Sequence, residues 1–195
     1  MNTFAKPETL VATALAPLDW TRSVALVFLF SLLTALAAQI SIPLWPVPIT
    51  GQTFAVTLTG ALLGSRLGAM ALIIYLVEGA CGLPFFSGGT GGIQMLFGPT
   101  GGYLVAFPAA AFITGAFAEH GWDKRFLTAA AAMTIGSAVI LLTGWAVLSR
   151  FMTPALAWHA GVTRFIIGDI IKVLLAAAVL PTGWYFLKRR ASQKQ

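Results

Sequence analysis

Charge is scarce in this chain: Asp, Glu, Lys and Arg make up 9% of its 195 residues, while 58% are hydrophobic. Soluble domains carry roughly a quarter charged residues. A water-soluble fold of this length would therefore lack polar surface, whereas a helical bundle in lipid needs an apolar exterior and internally satisfied backbone. Cysteine is confined to Cys81, which excludes an intramolecular disulfide, and His120 and His159 are isolated, so no Cys/His cluster offers a structural metal site. Both histidines read as surface residues. Catalytic signatures are missing as well. The run GGTGGIQMLFGPTGG lacks the terminal GK[ST] of a phosphate-binding loop, and there is no HExxH and no nucleophile elbow. No enzyme activity, ATP hydrolysis, metal or cofactor is expected. The net charge of +6 offers no basic face on which nucleic acid could lie. Residues 1–20 contain Glu8 and Asp19 and lack the basic start and compact apolar run of a signal peptide. They read as a retained cytoplasmic tail or an interfacial helix.

What the sequence does hold is apolar runs separated by proline, glycine and basic residues. The spacing predicts an all-α integral membrane protein, a single domain over residues 1–195 with six membrane-spanning helices and irregular outer loops. The spans fall at about 23–42, 52–64, 67–82, 103–118, 126–148 and 163–187. The first has about the 20 residues needed to cross hydrocarbon. The second is short and spans only by thinning the bilayer or borrowing the preceding turn. Pro43, Pro46 and Pro48 break regular helix after the first span, and the glycine-rich stretch from Pro84 to Gly102 cannot be one regular helix. Irregular backbone at a membrane is tolerated where it lines a cavity or is buried in protein, so this stretch is a candidate lid or re-entrant element. Phe85, Phe86, Met95 and Phe97 could supply its apolar underside.

Basic residues orient the bundle. With the N-terminus inside, Lys6, Arg22, Arg66, Lys124, Arg125, Lys188, Arg189, Arg190 and Lys194 fall on the inner side, against only Arg150 and Arg164 outside. Nine against two follows the positive-inside rule and calls for an even number of spans, with both termini cytoplasmic.

Three ionisable residues, Glu78, Asp169 and Lys172, fall inside apolar segments. Such groups are costly in hydrocarbon and face a bundle interior or a cavity. Asp169 and Lys172 lie roughly 7 to 12 Å below Arg164 at helical rise, in the outer half, and Glu78 approaches the same side. Spaced i, i+3, Asp169 and Lys172 share a helix face. One reading is a mutual lock; the other is a carboxylate and an ammonium recognising a small solute with hydrogen-bond donors and an acid group. Gly168 would let a backbone or ligand approach. Glu78 could be a pocket wall, a partner of Lys172 or an interfacial residue. Thr50 and Gln52 open a helix, where free amides can receive a polar ligand group, and Gln94 and Tyr103 bracket the glycine-rich stretch. Ser31 and Ala35, four apart on the first span, allow a second helix to approach, either within the bundle or from another subunit.

The ordered segments PVPITGQTFAV (46–56), GALLGSRLGA (60–69), GLPFFSGGTGG (82–92), FGPTGGY (97–103) and GDIIK (168–172) strongly resemble the BioY family. These are the biotin-binding S components of energy-coupling factor transporters. The resemblance covers nearly all of residues 23–187 and implies an S-component-like bundle in the cell's inner (cytoplasmic) membrane that captures biotin from outside. It implies as partners a transmembrane coupling subunit and two cytoplasmic ATPases, although some members of the family occur without a dedicated module. By the same resemblance Asp169 accepts from a ureido N–H, Lys172 faces polar groups of the ligand, and the small-residue face at Ser31 and Ala35 contacts the coupling subunit. Asn2 is the only asparagine, so no asparagine can serve in the pocket. An S component for another small vitamin, or a self-sufficient secondary biotin permease, are the alternatives.

Overall fold

A long apolar segment in lipid has no water to bond its backbone, and a helix satisfies every N–H and C=O within the segment itself. The structure, a computed structural model that describes residues 9–192, is built accordingly. Its helices are α1 (Leu10–Ala14), α2 (Trp20–Gln39), α3 (Gln52–Leu63), α4 (Ser65–Ala80), α5 (Gln94–Phe97), α6 (Gly101–Glu119), α7 (Phe126–Leu148), α8 (Pro154–Trp158) and α9 (Arg164–Ser192). A π-helical turn, His159–Thr163, joins α8 to α9. Asp19 caps α2, its carboxylate accepting from the Arg22 amide at 2.8 Å. Four stretches among the described residues are long and apolar enough to cross a membrane: α2, α6, α7 and the run from Pro154 to Leu187. Their outward faces carry Leu29, Leu32 and Leu36 on α2 and Ile167, Ile170 and Ile171 on α9, all exposed, as a lipid-facing surface requires.

The shorter α3 and α4 form a hairpin at Gly64, whose φ of +87° suits only glycine. Helix α6 packs against α3, α4 and α7 at the centre of the molecule. Close approach depends on small residues, since no hydrophobic drive separates helix from lipid. A Cβ on Gly60 would sit 2.2 Å from the Ala111 carbonyl oxygen, and one on Gly115 would sit 2.4 Å from the Ser65 nitrogen. Val56, Leu67, Leu72, Tyr75, Phe107 and Ile140 fill the main core, and Ala61, Met133, Ala177 and Leu180 a second cluster.

The long helices alternate in direction, with Gly68 meeting Gly60, Gly102 meeting Val147 and Gly183 of α9 meeting Leu10, while α8 continues into α9. One end therefore gathers the segment before α2, the Gly64 hairpin and the α6–α7 connection with Arg66, Lys124 and Arg125. The opposite end gathers residues 40–51, 81–100 and 149–163, beside Arg150 and Arg164. Lys6, Glu8 and Lys194 lie outside the described residues.

Several expectations need correcting. The first span begins and ends about three residues earlier than expected, and α4 starts at Ser65 because Gly64 has already turned the chain. The proline-rich stretch is a hairpin of β1 (Ser41–Ile42) and β2 (Ile49–Thr50), pairing Ser41 with Thr50 and Ile42 with Ile49. The glycine-rich stretch includes α5 and a tight turn at Ser87–Gly89. The last helix is preceded by α8 and the π-turn, where a loop was expected.

Candidate functional site

At the end away from most of the basic residues, β2, the start of α3, the glycine-rich stretch and the first turns of α6 enclose a cavity of about 220 Å³. Phe86, Met95, Leu104, Phe107, Ile140 and Phe165 give it an apolar body, with Pro46 and Pro48 at the hairpin. Thr50, Gln52, Thr53, Ser87, Thr100 and Tyr103 are its polar lining, and no lining residue is charged. An apolar pocket with a few fixed polar groups is the usual form of a small-molecule site.

The Gln52 carboxamide is oriented by a chain of hydrogen bonds. The Phe85 carbonyl can only accept, so the Tyr75 hydroxyl donates to it at 3.1 Å. Tyr75 must then accept from Gln52, which places Nε2 2.6 Å from the phenolic oxygen. The Thr50 hydroxyl donates to Gln52 Oε1 at 2.8 Å. A primary amide has two donors and two acceptor lone pairs, so these bonds leave Gln52, a lining residue, one N–H and one lone pair uncommitted. Tyr75 is fully buried, stacked at 6.2 Å on Phe107 and edge-on at 5.7 Å to Phe86. Gly79 makes room for Phe86, because a Cβ there would lie 2.3 Å from the ring.

Behind the same polar pole stand the two charges of α9. Lys172 Nζ donates to the Thr50 carbonyl at 2.7 Å and to Thr53 Oγ1 at 2.8 Å, and pairs with Asp169 Oδ1 at 3.4 Å. Thr53 in turn donates to Asp169 Oδ1 at 3.1 Å. Thr53 thus joins the cavity to the ion pair. Asp169 is 6% exposed, and its Oδ2 has no hydrogen-bond partner among the described residues.

On the far wall, Tyr103 donates to the Gly161 carbonyl at 2.9 Å, within the π-turn, and its ring stacks on Phe165 at 6.0 Å. Gly144 and Gly161 make room for Tyr103 because they lack side chains, a Cβ on Gly144 falling 2.3 Å from the ring and one on Gly161 2.1 Å from the hydroxyl oxygen.

Of the residues singled out in the sequence, Thr50, Gln52 and Tyr103 line the cavity, and Asp169 and Lys172 adjoin it through Thr53. The others lie elsewhere. Glu78 accepts from Ser31 between α4 and α2 and is no wall of this cavity. Gln94 is exposed and donates to the Gly91 carbonyl at 3.2 Å, while its neighbour Met95 takes the cavity position. Gly168 faces outward, where a Cβ would be 3.9 Å from Ile49, an ordinary contact. Ser31 and Ala35 are buried against this chain's own helices, so their close packing is internal. His120 and His159 are exposed, and among the described residues no three His, Cys, Asp or Glu come together. Sequence reasoning missed Thr53 and Tyr75. The usable signal for Tyr75 was a hydroxyl in the apolar run LIIYLV, which needs a partner once buried.

The chain matches the BioY family over residues 6–189. It is 47% identical over 131 residues to a probable biotin transporter BioY of Pyrococcus horikoshii, covering 67% of this chain and 76% of that one. It is 42% identical over 121 residues to the biotin transporter BioY of Thermotoga maritima, covering 62% of this chain and 70% of that one. Its fold is similar to that of the S-component for biotin from an ECF-type ABC transporter, with a TM-score of 0.75. That likeness covers 83% of this chain and 90% of the other at 23% identity, and it speaks to the fold alone.

Proposed function

The chain belongs to the BioY family, a family of multi-pass membrane transport proteins and not of enzymes, and from that premise we propose that it captures biotin in the cavity below the glycine-rich stretch. The reading rests on Gln52. A cyclic urea offers an N–H beside a C=O, and the carboxamide fixed by Thr50 and Tyr75 keeps one acceptor and one donor to meet them. The thiophane and aliphatic chain of biotin suit the apolar body between Phe107, Phe165 and Leu104.

In this reading Asp169 and Lys172 act on the ureido pole through Thr53, Asp169 holding the hydroxyl as its acceptor and Lys172 placing positive charge beside it. Tyr103 bounds the pocket at the π-turn.

We further propose six crossings, with α3 and α4 completing the set. At 1.5 Å per residue these rise about 18 and 24 Å, short of the roughly 30 Å hydrocarbon core. Locally thinned bilayer and the connecting segments 40–51 and 81–93 make up the difference. The basic end faces the cytoplasm in the inner membrane, which turns the cavity outward. On the outer face of α2, exposed Leu29, Leu32, Leu33 and Leu36 offer a coupling subunit its surface, and two cytoplasmic ATPases complete an energy-coupling factor transporter.

The test is equilibrium binding of labelled biotin to the purified chain alone, with Gln52→Leu beside it. The expected result is tight binding lost at least tenfold in the variant, the cost of about 1.4 kcal/mol or more for hydrogen bonds removed from a buried pole. Competition by another vitamin at lower concentration than biotin would move the assignment to that vitamin, and uptake driven by an ion gradient without an ATPase would make the chain a self-sufficient permease.

A further inference from the structure

Backbone from Pro84 to Gly89 forms part of the cavity wall through Phe86 and Ser87, yet it has little regular structure to hold it. Phe86 pairs with Thr90 in one isolated bridge, and Gly88 and Gly89 have φ of +70° and +69°. Such a segment opens easily unless something outside it ties it down. The Tyr75 hydroxyl on α4 holds the Phe85 carbonyl at 3.1 Å, and the tight turn beyond it is tied by Gln39, the last residue of α2. Its Oε1 accepts from the Gly89 amide at 2.9 Å. Its Nε2 donates to the Phe86 carbonyl at 3.2 Å, with the Pro84 carbonyl at 3.4 Å, and to the Ala35 carbonyl of its own helix at 3.1 Å. One carboxamide therefore grips both sides of the tight turn while anchored to a membrane-length helix.

We propose that Gln39 is a positioning residue that sets how long a ligand stays in the cavity, by clamping the 84–89 segment so that Phe86 remains over it. Gln39 does not line the cavity. Its effect falls on dissociation, which requires the wall to move, and leaves the ligand-contacting groups as they were. Glutamate at this place would keep the acceptor for Gly89 but set a carboxylate against the Phe86 and Pro84 carbonyls.

The proposal rests on the biotin reading, and its test separates the two. Association and dissociation rates of biotin are measured on the full chain and on Gln39→Leu and Gln39→Glu, together with melting temperature and backbone hydrogen exchange of residues 84–90. The expected result is dissociation faster by about tenfold in both variants, association within about twofold, unchanged melting temperature, and faster exchange confined to 84–90. Wild-type dissociation in both variants overturns the clamp, and so does a joint shift of both rates and melting temperature, which would mark general destabilisation. If the unaltered chain does not bind biotin, the functional reading fails, and hydrogen exchange alone decides the clamp: unchanged exchange at 84–90 in Gln39→Leu refutes it.

Discussion

Lys172 and Asp169 give the sharpest separation between a site and a lock. Their side chains are 18% and 8% exposed, and the charges stand 3.4 Å apart. At an effective dielectric constant of about 20 the gross attraction is about 5 kcal/mol, much of it offset by desolvation. Removing one partner leaves the other charge stranded in an apolar bundle, at a cost of about 3 to 5 kcal/mol. Asp169→Leu alone should therefore melt far earlier than the parent, and Lys172→Met alone should do the same. The double variant Asp169→Leu/Lys172→Met strands no charge and is expected within about 1 kcal/mol of the parent, because buried pairs contribute little net stability over apolar replacements. Yet it leaves Thr53 without the acceptor that orients its hydroxyl. The expected signature is a double variant that folds like the parent and binds biotin at least tenfold more weakly. Thermal unfolding in detergent and equilibrium binding on the same four preparations supply both numbers. A double variant that is stable and binds biotin as the parent does would refute the link from α9 to the cavity and leave the pair a lock.

Two further predictions concern the scaffold. Gly60→Val puts a side chain where a Cβ already meets the Ala111 carbonyl at 2.2 Å, so α3 must part from α6, and a loss of about 3 kcal/mol is expected as early melting and aggregation on size exclusion. Asp123, in the α6–α7 connection, is 2% exposed and accepts from the Trp184 indole at 2.6 Å. Burial pushes its carboxyl above the ordinary 3.8 despite that bond and the nearby Lys124. A raised folded pKa means the folded state holds the proton more tightly, so Asp123 contributes stability at low pH that is lost as pH climbs through the raised value. Asp123→Asn is expected to flatten that slope in melting temperature against pH, and an unchanged slope would acquit Asp123.

Much of the architecture was written in apolar runs, and α7 falls where its run predicts. The β1–β2 hairpin was illegible because two residues per strand give no alternation to read. The π-turn was hidden because 151–163 mixes Pro154 and His159 among apolar residues, and only the Tyr103 bond to Gly161 shows why it is there. Asp169 and Lys172 stood out because charge in an apolar helix demands an answer, but the answer came from Thr53 and the Thr50 carbonyl, which carry no such signal. Glu78 was placed with them by depth alone. Depth along a helix fixes height and not direction, and Glu78 turns to Ser31 on α2. Gln39 escaped notice for a related reason, since a glutamine at a helix end reveals its partners only once the glycine-rich stretch folds back over it.

The central claim, that a fixed carboxamide reads the ureido ring inside an apolar pocket, is tested most directly by an experimental structure of the chain with biotin bound. The ureido group should lie within hydrogen-bond distance of Gln52 and beside Thr53, its ring system between Phe107 and Phe165. Biotin found outside this cavity, or bound with its ureido group turned away from Gln52, would contradict it.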